Sequence, residues 1–220
     1  MLAFIFALKS ETSSILHKIT DLKEIKLADK TAYKGKFLGI DCIVAISGIG
    51  KVSAALTTQL IIDKFSPKYI INPGTCGGTN NTVQILNYYL VEKSCQFDFD
   101  LREIDNVPLG YIQEYDRVFF PAFTNGIDCL PKTSLASSDR FSSKTEDISN
   151  INQMGCSIRD MEGGSIAQVC LSNNVNYVGI KGITDVYGLG TDGEQFHQNL
   201  NKVVNGLADA VAKVVQQLQL

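Results

Sequence analysis

Residues 156–186, CSIRDMEGGSIAQVCLSNNVNYVGIKGITDV, set the fold class. Positions 156–161 read as a strand, 162–173 as a helix and 176–186 as a second, largely apolar strand, so the segment is one unit of an α/β pattern. C-terminal to it, Phe196, Leu200, Val203, Val204, Leu207, Val211, Val214, Val215 and Leu218 recur at steps of three, four and one. That spacing predicts a long helix with one apolar stripe packed on the sheet.

The pattern extends to the N-terminus. A helix is expected near 145–154, and Met1-Leu2-Ala3-Phe4-Ile5-Phe6-Ala7-Leu8 reads as a buried strand. No positive charge precedes that run and no small-x-small site follows it, so it does not read as a secretory leader. Ser10 caps an expected helix whose apolar positions are Ile15, Leu16 and Ile19, with Glu11 in its first turn. Strand-like runs follow around Tyr33 and Phe37 and at 41–46, then a helix at about 52–65. Tyr69-Ile70-Ile71 reads as a strand ending in Asn72-Pro73-Gly74-Thr75-Cys76-Gly77-Gly78, taken as tight glycine-rich turns. A further strand is expected at 84–93. From 96 to 143 periodicity fades apart from an extended Val118-Phe119-Phe120, and irregular loops are expected. No repeat or low-complexity linker interrupts the chain, which predicts one α/β domain over 1–220 with a parallel or mixed sheet covered on both faces.

Composition narrows the function. The 220 residues carry 20 Lys plus Arg against 23 Asp plus Glu, a net charge of −3, with no basic run to meet a phosphate backbone, so nucleic acid is not an expected partner. No stretch approaches the roughly 18 apolar residues of a membrane span, and a soluble chain is expected. The six cysteines include no C-x-x-C pair, and neither His17 nor His197 lies near one in sequence, which argues against a zinc site or a redox pair. Cys42, Cys95, Cys156 and Cys170 adjoin apolar runs and read as reduced, buried thiols of a cytoplasmic protein.

Two glycine motifs fail their tests. Gly188-Leu189-Gly190-Thr191-Asp192-Gly193 matches G-x-G-x-x-G, but no second strand with an acidic residue follows, so a flexible loop is expected instead of a dinucleotide site. Ser47-Gly48-Ile49-Gly50-Lys51-Val52 lacks the first glycine and the terminal hydroxyl of a phosphate loop. What it retains is a helix N-terminus whose backbone N–H groups can meet a ligand.

Three carboxylates sit at the ends of predicted strands: Glu11, Glu162 and Asp185. Ligands gather at the carboxyl ends of strands in α/β sheets, so the three are expected to converge. Glu11 and Glu162 also read as ordinary helix-start charges. Asp185 lies inside an apolar strand, where a carboxylate is costly unless paired or functional.

Ala7-Leu8 with Glu11, Ser47 to Val52 with Ala54-Ala55, Ile71-Asn72-x-Gly74 with Gly77-Gly78, Asp160-Met161-Glu162 and Thr184-Asp185-Val186 occur in order along nearly the whole chain. In this the sequence resembles the nucleoside phosphorylase and nucleosidase family, most closely the methylthioadenosine/S-adenosylhomocysteine nucleosidases. The resemblance implies a three-layer α/β/α fold around a mixed, barrel-like sheet. It also implies a homodimer, no cofactor and no metal, and hydrolysis of an adenine nucleoside at its N-glycosidic bond. Carried over, Glu11 activates water, Asp185 protonates the leaving adenine at N7, Glu162 holds the ribose hydroxyls, Met161 lines the sugar and Phe141 stacks on the base. Leu8, Ile49, Thr75 and Gly77 complete the implied substrate contacts, together with Asp160, Lys181, Thr184 and Phe196. Phe141 also reads as plain core.

Those roles suit the chemistry. Breaking a ribosidic bond places positive charge on the sugar and negative charge on the purine, which calls for an acid at the base and a carboxylate near the water. The chain departs from the family pattern at Lys181, where Arg is usual, and at Asp160, where Glu is usual. Gly163 replaces Ala, Thr75 and Thr184 replace Ser, and Lys9 and Ser10 replace residues that are commonly acidic. Three alternatives stay open: a purine nucleoside phosphorylase, a futalosine-type nucleosidase, and a nucleoside-binding protein without turnover. The phosphorylase would need basic residues around phosphate, and Arg102, Arg117, Arg140 and Arg159 all lie outside the glycine-rich segments.

Overall fold

The structure is a computed structural model and describes residues 1–219. In chain order its elements are β1 (Leu2–Phe6), α1 (Lys9–Leu16), β2 (Ile19–Leu27), β3 (Lys30–Phe37), β4 (Ile40–Ile46), α2 (Lys51–Phe65), β5 (Tyr69–Gly78) and β6 (Tyr88–Gln96). There follow α3 (Arg102–Asp105), β7 (Phe120–Pro121), β8 (Lys132–Ser137), α4 (Thr145–Gln153), β9 (Ile158–Asp160), α5 (Gly163–Ser172), β10 (Asn176–Val186) and α6 (Asp192–Gln217). All ten strands belong to one mixed sheet.

Five of those strands close on themselves. β5 pairs with β10, β10 with β6, β6 with β8, β8 with β9, and β9 returns to β5. From this barrel the sheet continues through β1, β4, β3 and β2 as an open wing. β5 is the junction: Tyr69 to Ile71 pair with β1, whereas Gly77 and Gly78 pair with β9. A strand that belongs to both wing and barrel must coil sharply, which a run of small residues permits.

Alternation along β1 sorts the core into two layers. Ala3 and Ile5 join a cluster containing Ala54 and Ile61 of α2 and Ile166 and Cys170 of α5. Leu2, Phe4 and Phe6 point the other way, onto Ile15 of α1 and Leu207, Val211 and Val214 of α6. The period of two in the strand thus produces the three-layer α/β/α arrangement that the resemblance implies. The stripe of α6 packs as expected from Val203 onward.

Several expectations need correction. The segment 72–78 is not a set of turns but the second half of β5, because its backbone is paired with β10 on one side and, at its end, with β9 on the other. Ile19 belongs to β2 and not to the first helix, and β2 itself has a mostly exposed, polar face that carries no apolar alternation. The first helix begins at Lys9, with Leu8 and not Ser10 at its cap position. The strand expected at 84–93 runs instead over Tyr88–Gln96, and β8 lies in the segment read as irregular. Gly50 and Lys51, expected to offer N–H groups to a ligand, donate them to Glu162 and Asp139 of the same chain.

Among the described residues no helix is long and apolar enough to cross a membrane. All six cysteines are free thiols, and all but Cys129 are buried.

Candidate active site

Three strands of the barrel, β5, β9 and β10, and the first turn of α1 meet at one cavity of about 420 Å³. Leu8, Glu11, Ile49, Thr75, Gly77 and Phe141 line it, as do Asp160, Met161, Glu162, Thr184, Asp185 and Phe196. The three carboxylates that sequence reading placed at strand ends therefore share one chamber. Lys181 does not reach its surface.

Glu11 is turned inward and only 3% exposed, which removes its reading as a surface charge. Its Oε1 accepts the Thr75 N–H and hydroxyl, both at 2.8 Å, and its Oε2 accepts the Leu8 N–H at 3.1 Å. Three donors fix the carboxylate beside the middle of β5. Glu162, at the cap position of α5, also lines the cavity and accepts the Gly50 N–H at 3.0 Å. Burial first, and then the neighbouring Asp160 charge, push the Glu162 carboxyl up to about 7.

Asp185 stands on β10 opposite Gly77, next to a register shift between Ile183 and Asp185. Such a bulge re-aims the side chain that follows it. Its Oδ1 accepts the Thr184 hydroxyl at 2.7 Å and its Oδ2 meets Arg159 Nη2 at 2.8 Å. Burial raises its carboxyl above the ordinary range, while the Arg159 charge pulls the other way. A Cβ on Gly77 would lie 2.6 Å from both Arg159 Cζ and Asp185 Oδ2, so glycine is required where these two side chains cross the strand.

Two residues expected at the substrate are tied into the cavity wall by bonds within the protein. Lys181 of β10 is buried, and its Nζ lies 2.7 Å from Asn72 Oδ1 and 2.9 Å from Asp160 Oδ2. A lysine, shorter than the arginine usual there, is held in the wall by these partners. Asp160 borders the cavity, but its oxygens accept from Ser137 Oγ, Lys181 and the N–H groups of Glu162 and Gly163. Phe141 is not plain core: it is half-exposed, lines the cavity and meets Phe196 edge-on with ring centroids 6.3 Å apart.

Sequence reading missed Arg159, Asp192, Asn72, Arg140 and His197. Arg159 lies outside the glycine-rich segments in sequence, yet its guanidinium lies against Gly77 and donates to the Gly78 carbonyl. The available signal was the one used for Asp185, a charge inside a predicted buried strand. Asn72 and Asp192 lie inside the glycine-rich segments 72–78 and 188–193, read there for their glycines alone, Arg140 and His197 lie outside any motif, and only the fold brings the four to the site. Each lysine and arginine in or behind the cavity wall is paired: Arg159 with Asp185 and Asp192, Arg140 with Asp147, and Lys181 with Asp160. No group of three or more His, Cys, Asp or Glu among the described residues is arranged to hold a metal ion.

A barrel-and-wing sheet with a chamber of buried carboxylates at its strand ends defines a class, and comparison with known proteins agrees with it. Residues 2–219 match the phosphorylase superfamily, and the chain belongs to that superfamily. A 5'-methylthioadenosine/S-adenosylhomocysteine nucleosidase of Buchnera aphidicola is 32% identical, over 84% of this chain and 83% of that protein. The nucleosidase of the same description from Colwellia psychrerythraea, solved in complex with adenine, superposes with a TM-score of 0.90 at 26% identity, covering 99% of this chain and 95% of that one. A futalosine hydrolase of Helicobacter pylori gives a TM-score of 0.89 at 26% identity, covering 99% and 97%.

Proposed function

We propose that this chain is a purine nucleosidase that hydrolyses the N-glycosidic bond of an adenine nucleoside such as methylthioadenosine or S-adenosylhomocysteine, releasing adenine. The observation that carries the reading is the placement of two fixed carboxylates, Glu11 and Asp185, on one cavity whose cations are all paired within the protein.

Glu11 accepts a proton from the attacking water, whose oxygen bonds to C1′ as the bond from C1′ to the base breaks. Positive charge developing on the ribose is stabilised by Glu11 and Glu162, and Glu162 also accepts hydrogen bonds from the ribose hydroxyls. Asp185, held by Thr184 and Arg159, gives its proton to adenine N7, so the base leaves neutral. Its burial keeps that proton available at higher pH than an exposed carboxyl would. Met161 packs on the sugar, and Phe141 with Phe196 covers the base and the 5′ side.

Paired cations favour water over phosphate. A phosphate dianion in this chamber would meet the carboxylates Glu11 and Glu162 without an unpaired lysine or arginine to offset them. The futalosine hydrolase likeness supports a second reading, in which the 5′ substituent is that of futalosine. A panel of nucleosides varied at the 5′ position and in the base tests both. Release of adenine from methylthioadenosine supports the first reading. Binding of every nucleoside with no free base formed would leave a binding protein and reject the enzyme.

A homodimer fits the surface. Ile49, Val52 and Leu56 are 56%, 79% and 48% exposed, and Val52 and Leu56 share one face of α2 beside the cavity mouth. A second copy laid on that face would cover the apolar patch and close the 5′ end of the site. The free, mostly buried thiols suit a reducing compartment, the cytoplasm.

A further inference from the structure

Arg159 is buried at the base end of the cavity, yet it carries no bond-making step in the hydrolysis above. It is 5% exposed, and its Nη2 lies 2.8 Å from Asp185 Oδ2 and 2.7 Å from Asp192 Oδ2. The Gly78 carbonyl accepts from its Nη1, and its Cζ sits 5.9 Å from the centre of the Phe141 ring. Desolvating a guanidinium costs several kcal/mol unless its partners are well placed. Here both carboxylates are themselves buried, one on β10 and the other in the first turn of α6.

We propose that Arg159, anchored by Asp192, is a positioning residue that aims the Asp185 carboxyl at the base and sets the pH above which the site loses its acid. The proposal rests on the reading of Asp185 as that acid.

The charges around Asp185 give the proposal a sign. Arg159 faces it from β9, Asp192 from α6, and the Cys76 thiol from β5, while Thr184 on its own strand donates a hydrogen bond. His197 and Arg140 line the same cavity, the latter held by Asp147. Burial favours the protonated carboxyl, and Arg159 favours the anion. Asp192 weakens that pull twice, by sharing the guanidinium and by adding a like charge. The acid is thus poised between two opposed influences, and each can be removed alone.

The test is the pH profile of kcat/KM for adenine release, whose alkaline limb reports the acid of the free enzyme. Arg159→Met should move that limb to higher pH by about one unit or more, because the group that favours the anion is gone. Asp192→Asn should move it to lower pH, because Arg159 then serves Asp185 alone. A merely structural role lowers activity without displacing the limb in opposite directions. Displacement in the same direction, or none, in variants that keep the wild-type melting temperature would overturn the proposal. Should Arg159→Met fail to fold, Asp192→Asn decides alone, and an upward or absent shift rejects it. Carboxyl NMR of the free protein, with Asp185→Asn to assign the signal, follows the same proton without turnover. A wild type that releases no adenine therefore defeats the parent reading separately from a carboxyl titration that ignores both variants.

Discussion

As the proposed acid, Asp185 has to be both held and protonated, and its neighbours bear on both demands. Thr184 and Arg159 take one oxygen each, while burial resists the anion. Replacing it with Asn keeps the shape and removes the proton, so Asp185→Asn should lower kcat by about 10² or more, as loss of a general acid typically does, with the circular dichroism unchanged. Glu11 and Glu162 should separate in calorimetry. Glu11→Gln should abolish hydrolysis and preserve ligand binding, whereas Glu162→Gln should weaken both, because a carboxylate on the ribose acts in the ground state as well as the transition state. Equal binding losses would mean that the two roles are wrongly divided. Glu162 also makes a stability prediction. With its carboxyl raised to about 7, the folded chain holds that proton more tightly than the unfolded chain does. The stability it contributes is full below its ordinary value and is lost as pH rises through about 7. Glu162→Gln should therefore be more stable than wild type at about pH 8, by ~1–3 kcal/mol in denaturant titration, with the gain shrinking as pH falls toward about 5. At this scale the sequence was informative wherever a charge interrupted an apolar run. Asp185 is legible that way, and Arg159, two residues before Met161, carries the same signal.

β5 holds the site together, and it is the element that local sequence describes least well. Asn72 to Gly78 has the composition of turns, yet the stretch stays extended because neighbours on both sides supply its hydrogen bonds. Glycine lowers strand propensity, but tertiary pairing outweighs that cost and uses the space glycine leaves. Gly77 is the sharpest instance, since a methyl group there would collide with both Arg159 and Asp185. Gly77→Ala should cut adenine release by at least about tenfold, by displacing the acid. Wild-type rates in that variant would show that the contact between β5 and β10 is not needed to aim Asp185. α6 gives the contrasting case. Its stripe was legible from spacing alone because a long amphipathic helix repeats its signal many times, and Leu207 sits fully inside the layer it forms with β1 and β10. Leu207→Ala should cost about 2–5 kcal/mol in chemical denaturation. β2 and β8 went unread for opposite reasons. β2 is a largely exposed edge strand, and β8, buried in the barrel wall, is a short run inside a segment without periodicity.

Across the whole molecule, closure of the barrel converts scattered residues into a site. Glu11 comes from the start of the chain and Asp160 to Glu162 and Asp185 from the two strands of the unit at 156–186, and the return of β9 and β10 to β5 brings them to one chamber. Alternation of strand and helix could indicate a covered mixed sheet but not its closure, which depends on pairings far apart in sequence. The resemblance to nucleosidases supplied that step, and the match over residues 2–219 agrees with it. Assembly makes a prediction at this scale. If the α2 face beside Ile49 is covered by a second copy, Val52→Asp with Leu56→Asp should halve the mass seen in light scattering and weaken substrate affinity. A wild-type monomer with full turnover would refute the dimer. The central claim concerns what attacks C1′, and one assay addresses it most directly: adenine release from methylthioadenosine with phosphate omitted and then added, with the sugar product identified. A chamber whose cations are already paired should use water, giving an unchanged rate and free methylthioribose. Base release that requires phosphate, or accumulation of the sugar 1-phosphate, would contradict the account.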